Sequence, residues 1–70
     1  MFPNLMGQKA VHKLTDEQMA DIIKVTRLTY LRKLTSGDFT VSECKTFCRY
    51  FDKPFDFLFQ TQEELPNLGG

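Results

Sequence analysis

The chain reads as all-α, five short helices folded as one small domain, and three observations carry that expectation. Apolar residues recur at i, i+3 and i+4, while the period-2 alternation of strands is almost absent. Thr15, Thr26 and Thr40 each stand just before such a periodic segment, two of them with the glutamine or glutamate of a capping box three residues on. Gly37 and Pro54 break what remains. At 70 residues a domain buries only about 60% of the surface its unfolded chain exposes. A core and a separate enclosed substrate cavity do not both fit.

The first helix is expected from about Pro3 to His12, because proline suits an early helical position where its missing N–H has no partner. Leu5, Met6, Ala10 and Val11 would form its buried stripe, and Gly7 weakens it. Thr15-Asp16-Glu17-Gln18 is a capping box whose acids also suit the positive helix start. It opens a second helix over 16–24, with Met19, Ala20, Ile22 and Ile23 facing inward. Thr26 caps a third helix over 27–34. Two short helices joined so tightly have the spacing of a helix-turn-helix, and the small Ala20 lets the second approach the first.

Thr35-Ser36-Gly37-Asp38 is expected to turn, with Gly37 at positive φ. Thr40-Val41-Ser42-Glu43 is the second capping box, with Phe39 placed to staple onto Cys44. The fourth helix carries Cys44, Phe47, Cys48 and Phe51 on one face. Asp52-Lys53-Pro54 ends it, and Phe55 to Phe59 form an aromatic fifth helix. The domain thus spans 1–59, and the composition of 60–70 predicts a frayed, flexible tail.

Several function classes drop out. No apolar run reaches the roughly 18–20 residues of a membrane span, and the opening residues lack a secretory h-region, so the expected location is cytoplasmic. Cys44 and Cys48, four apart on a helix, have poor disulfide geometry and read as two free, mostly buried thiols of a reducing compartment. With His12 the one histidine and distant in sequence, no metal site and no cofactor are expected. Neither thiol has a base at a useful spacing, and Glu63-Glu64 fall in the tail, so an enzyme is not expected.

Nine basic and nine acidic residues sum to zero, which at first argues against nucleic acid. The sum conceals a split. Residues 1–37 hold six basic and three acidic side chains, and 38–70 hold three and six, so the halves carry +3 and −3. Between Ile22 and Gly37 lie Lys24, Arg27, Arg32 and Lys33 and no acid at all. The positive half carries the third helix.

Leu14-Thr15, Ala20, Val25-Thr26, Thr29-Tyr30 and the Gly37 turn stand in the order and spacing of the Cro and phage-repressor DNA-binding fold, which the chain resembles over about residues 5–59. The stretch Tyr30-x-x-Lys33-Leu34-x-x-Gly37-x-Phe39-Thr40-x-x-Glu43 and the ending Tyr50 to Phe59 look like small regulators of temperate phages of Gram-positive bacteria. The resemblance extends to lactococcal-type repressor modulators, or antirepressors. The sequence departs from the family at Asp16, where glutamine is frequent, at Lys24, where glycine is usual, and at Arg27-Leu28, where polar base-readers are common.

The resemblance implies a transcription regulator of a lysis–lysogeny switch that reads double-stranded operator DNA with its third helix. Thr26, Arg27, Leu28, Thr29, Arg32 and Lys33 are then the DNA-contacting residues. Arg27 would form the bidentate guanine contact, Arg32 and Lys33 would meet phosphate or a second base, and the threonines and Leu28 would meet phosphate or a thymine methyl. A homodimer joined through Phe55, Phe57, Leu58 and Phe59 would place two copies in successive major grooves about 34 Å apart. The alternative is an antirepressor that covers the DNA-reading surface of a phage repressor protein, alone or in a joint complex on DNA. Leu28, Leu31, Arg27, Asp16 and Asp38 would then form the partner surface.

Overall fold

The computed structural model describes residues 2–61, and among them it contains five helices and no strand. In order these are α1 (Pro3–Val11), α2 (Asp16–Ile22), α3 (Arg27–Ser36), α4 (Val41–Phe51) and α5 (Phe55–Leu58). The tail expected from residue 60 lies outside the described residues beyond Thr61.

The caps explain the starts. Thr15 Oγ1 accepts the Gln18 amide at 3.1 Å while Gln18 Oε1 accepts the Thr15 amide at 2.8 Å. Thr40 and Glu43 repeat the reciprocal pair at 3.1 and 2.9 Å. Thr26 caps α3 through the Thr29 amide alone, because the third helical position holds no carboxylate or amide to return the bond.

α1 and α5 each end one residue short of the sequence reading, at Val11 and Leu58, and two further boundaries differ by two residues. α2 ends at Ile22 and not at residue 24, because Lys24 takes a left-handed φ of 59°. The Val25 amide then donates to the Ala20 carbonyl and the Lys24 amide to that of Asp21, the paired bonds of a Schellman turn. Lys13 does the same after α1, with Leu14 N–H donating to the Lys9 carbonyl. α3 runs two residues further than expected, to Ser36. In this added turn the Thr35 hydroxyl donates to the Leu31 carbonyl at 3.2 Å. Gly37, at φ 79°, is the residue that stops the helix, its amide 2.7 Å from the Lys33 carbonyl.

α3 packs chiefly on α2, α4 meets α2 and α5, and α1 meets α5. The core joins Leu5, Met19, Ala20, Ile23, Tyr30, Leu34, Cys44, Phe47 and Phe51 to Phe2, Leu58 and Phe59. Ala10 and Val11 do not join it. Both are exposed, because α1 turns a narrower apolar stripe inward than its sequence offers. Phe2 replaces them from outside the helix, its ring 5.3 Å from Phe59 and 5.8 Å from Phe39. Asn4 Nδ2 donates to the Phe57 carbonyl at 2.8 Å, tying the first helix to the last.

Half-buried Phe39 is the hub of the rings, within 6.3 Å of Phe2, Tyr30, Phe47 and Phe59. The fifth helix differs from its expected role. Leu58 and Phe59 are core residues, which leaves Phe55 and Phe57 exposed from the aromatic set. Cys44 and Cys48 are not bonded to each other, and burial raises the pKa of both thiols.

Tyr30 is fully buried, yet its hydroxyl has no hydrogen-bond partner among the described residues. Burial, reinforced by the Asp16 carboxylate, pushes its phenol far above the ordinary value. An unsatisfied buried hydroxyl costs about 1–3 kcal/mol. Tyr30→Phe removes that hydroxyl and keeps the ring, so the variant should be about 1 kcal/mol more stable and melt roughly 4–8 °C higher. A thermal melt that falls instead would show that the hydroxyl is satisfied in solution.

Candidate nucleic-acid interface

At 100° per residue, α3 divides cleanly. Tyr30 and Leu34 point into the core. The opposite direction is taken by Arg32, with Leu28 one turn before it and Thr35 and Ser36 one turn after. Arg27, two turns before Leu34, lies on the core-facing side and is exposed because it opens the helix.

Leu28 is 61% exposed, a large apolar side chain standing in solvent at the second position of α3. Leu31 is half-buried against the core, so of the two leucines one packs and one protrudes. Together with Thr29, Arg32, Lys33, Thr35, Ser36 and Asp38 they line a shallow groove of about 670 Å³ along the helix. Six expected contact residues (Leu28, Thr29, Leu31, Arg32, Lys33 and Asp38) are thus brought to one surface, and Arg27, Thr26 and Asp16 lie outside this groove lining.

Several of these residues are already engaged. Thr26 Oγ1 accepts the Thr29 amide at 3.2 Å and donates to Thr29 Oγ1 at 2.9 Å, so the first hydroxyl is spent on the cap and the second retains only its own proton to give. Lys33 does not project into solvent. Its Nζ lies 3.1 Å from Glu43 Oε1 and 3.4 Å from the Asp38 carbonyl, clipping the end of α3 to the start of α4. Asp16 is paired as well, its Oδ1 3.3 Å from Lys9 Nζ. That pairing offsets the repulsion an acid at this position would present to phosphate. Arg27 and Arg32 enter no ion pair among the described residues.

Sequence reasoning missed Glu43, Lys9, Thr35 and Ser36. Glu43 was marked by its capping box, but nothing local shows that the same carboxylate also receives a lysine ten positions earlier. Its burial alone would raise its pKa. The Thr40 amide and the Lys33 ammonium more than offset that and hold the carboxyl below its usual range. A depressed folded-state pKa stabilises the fold fully above the unfolded value, about 4.3. That stability is lost as pH falls through the lower, folded value. Glu43→Gln keeps the cap acceptor and removes the charge, so near neutral pH it should cost less than about 1 kcal/mol. Thermal melts from pH 7 to pH 3 should then show a shallower acid decline than the parent, and parallel curves would refute the assignment.

Among the described residues no three His, Cys, Asp or Glu side chains are placed to hold a metal ion, and no helix is long and apolar enough to cross a membrane. Compared with protein families, curated proteins and solved structures, the chain finds no match.

Proposed function

We propose that the chain is a helix-turn-helix transcription regulator of the Cro and phage-repressor type, which presents α3 to the major groove of operator DNA in a temperate-phage lysis–lysogeny switch. The observation that carries this reading is the surface of α3: Arg32 at the centre of its outward face, exposed Arg27 at its first residue and no acidic residue in the helix. The positive end of the helix dipole lies at Thr26-Arg27 and favours an approaching phosphate. The short α2–α3 corner stands that surface clear of the core. Phe55 and Phe57, left exposed on α5, are the residues through which two copies would join. Such a regulator works in the bacterial cytoplasm and needs neither a cofactor nor catalysis.

The test is a fluorescence-anisotropy titration against duplexes enriched from a random pool and against an unselected pool, at physiological salt. The reading expects an enriched site bound at least about a thousandfold more tightly than the pool. Sequence-independent binding in the micromolar range would overturn it.

A second reading is favoured by Leu28 specifically. A 61% exposed leucine beside a mostly apolar groove suits a protein surface. In that reading the chain is an antirepressor that covers a phage repressor's N-terminal domain, with Leu28, Leu31 and Arg27 against the partner and Asp38 at the rim. Asp16, paired to Lys9, would lend the partner only a partly neutralised charge. Co-elution of the two proteins at tens of micromolar, abolished by Leu28→Asp, separates this reading from the first.

A further inference from the structure

We propose that Cys44 and Cys48 form a two-coordinate thiolate site for a soft monovalent cation, the cuprous ion. The inference is independent of the DNA-binding reading, and its test involves no nucleic acid.

Both thiols are free and stand one turn apart on α4. They open into the same hollow of about 350 Å³, whose other walls are Phe39, Val41, Lys45 and Phe55. Residues four apart on a helix hold their Cβ atoms about 5–6 Å apart. A disulfide needs roughly 3.5–4.5 Å, so this spacing keeps the two sulfurs from bonding to each other. An ion between them removes the conflict, because two metal–thiolate bonds of about 2.3 Å hold the sulfurs well apart. The geometry that disfavours the disulfide therefore suits a bridged pair.

Ligand number selects the ion. Zinc and iron–sulfur centres take three or four protein ligands, and among the described residues no third His, Cys, Asp or Glu joins the two thiols. The sequence expectation of no metal site assumed such centres. Cu(I), a soft closed-shell ion that favours thiolate, is satisfied by two in line. The hollow suits it as well. Phe39, Val41 and Phe55 make it mostly apolar, which disfavours ions that keep a water shell. Cys48 is half-buried and gives entry, while Cys44 is buried. Burial holds both thiols protonated, so each Cu⁺ that enters forms two Cu–S bonds and releases two protons to water. The resulting bis-thiolate carries one negative charge, which the Lys45 ammonium on the same rim offsets. Glu43, the acid whose charge reaches Cys44, is itself paired with Lys33 at 3.1 Å.

The test titrates the full reduced chain, without oxygen, into Cu(I) held by the coloured chelator bicinchoninate. One equivalent per chain should leave the chelator, and X-ray absorption should show two sulfur neighbours around copper. Cys48→Ser and Cys44→Ser should each hold copper at least about a hundredfold more weakly, because the second thiolate binds intramolecularly. Circular dichroism verifies that the variants fold. Should Cys44→Ser fail to fold, the half-buried Cys48→Ser decides alone. A chain that withdraws no copper overturns the inference, as does a folded single variant that keeps the parent's affinity. One ion per two chains also overturns it, because the ion would then join Cys48 of two copies.

Discussion

Phe47→Ala is expected to leave the chain largely unfolded at 25 °C. The ring is fully buried and meets Phe39 at 5.7 Å, Phe51 at 6.1 Å and Phe59 at 6.3 Å. Truncating a buried phenylalanine costs about 3–5 kcal/mol, part for lost burial and part for the cavity. Domains in general hold about 5–15 kcal/mol, and a chain this short falls near the bottom of that range. Loss of the cooperative urea transition, followed by circular dichroism, is the expected result. Phe47→Leu refills much of the space and should retain a transition at lower urea. A full native baseline in the alanine variant would show that the rings around position 47 collapse into the gap.

The second large effect belongs to Arg32→Ala. Arg32 occupies the centre of the outward face of α3 and forms no ion pair among the described residues, so its removal should cost the fold almost nothing. If the proposed DNA reading holds, a bidentate base contact is worth about 1–3 kcal/mol on a specific duplex, and the variant should bind it roughly 5- to 150-fold more weakly. Lys33→Ala supplies the contrast. Its ammonium is already shared with Glu43, so DNA affinity should change little while the melting temperature falls slightly. The two variants measured on one duplex separate readout from scaffold. Equal losses would mean that the Lys33–Glu43 pair opens on DNA.

The parts of the fold readable from the sequence are those set within a few residues. Thr15, Thr26 and Thr40 mark helix starts because an N-cap needs only its own side chain and an amide three positions on. The inward pair Tyr30 and Leu34 follows from a four-residue period. Helix ends were harder to place. A lysine at position 24 gives no stop signal, yet the backbone turns left-handed there without glycine. Contacts made across the chain were not readable at all. Nothing local marks Phe2 as a core residue, Phe59 as more core than surface, or Glu43 as the partner of Lys33. The same division holds at the site. That residues 27–34 occupy α3 was plain, but not that Thr35 and Ser36 extend it, and which of them the fold leaves available was decided by a cap and an ion pair that reaches another helix.

The bond from Asn4 to Phe57 and the packing of Phe2 on Phe59 have a kinetic consequence. They close a loop of more than fifty residues, so their formation carries the largest chain-entropy cost in the domain. The α2–α3 corner and the start of α4 need only short closures and should assemble first. On that order α3 is set before the ends of the domain meet, and the joining of α1 to α5 is the late step that locks it. Amide exchange should accordingly be fastest where α1 and α5 meet and slowest around Ala20 and Phe47.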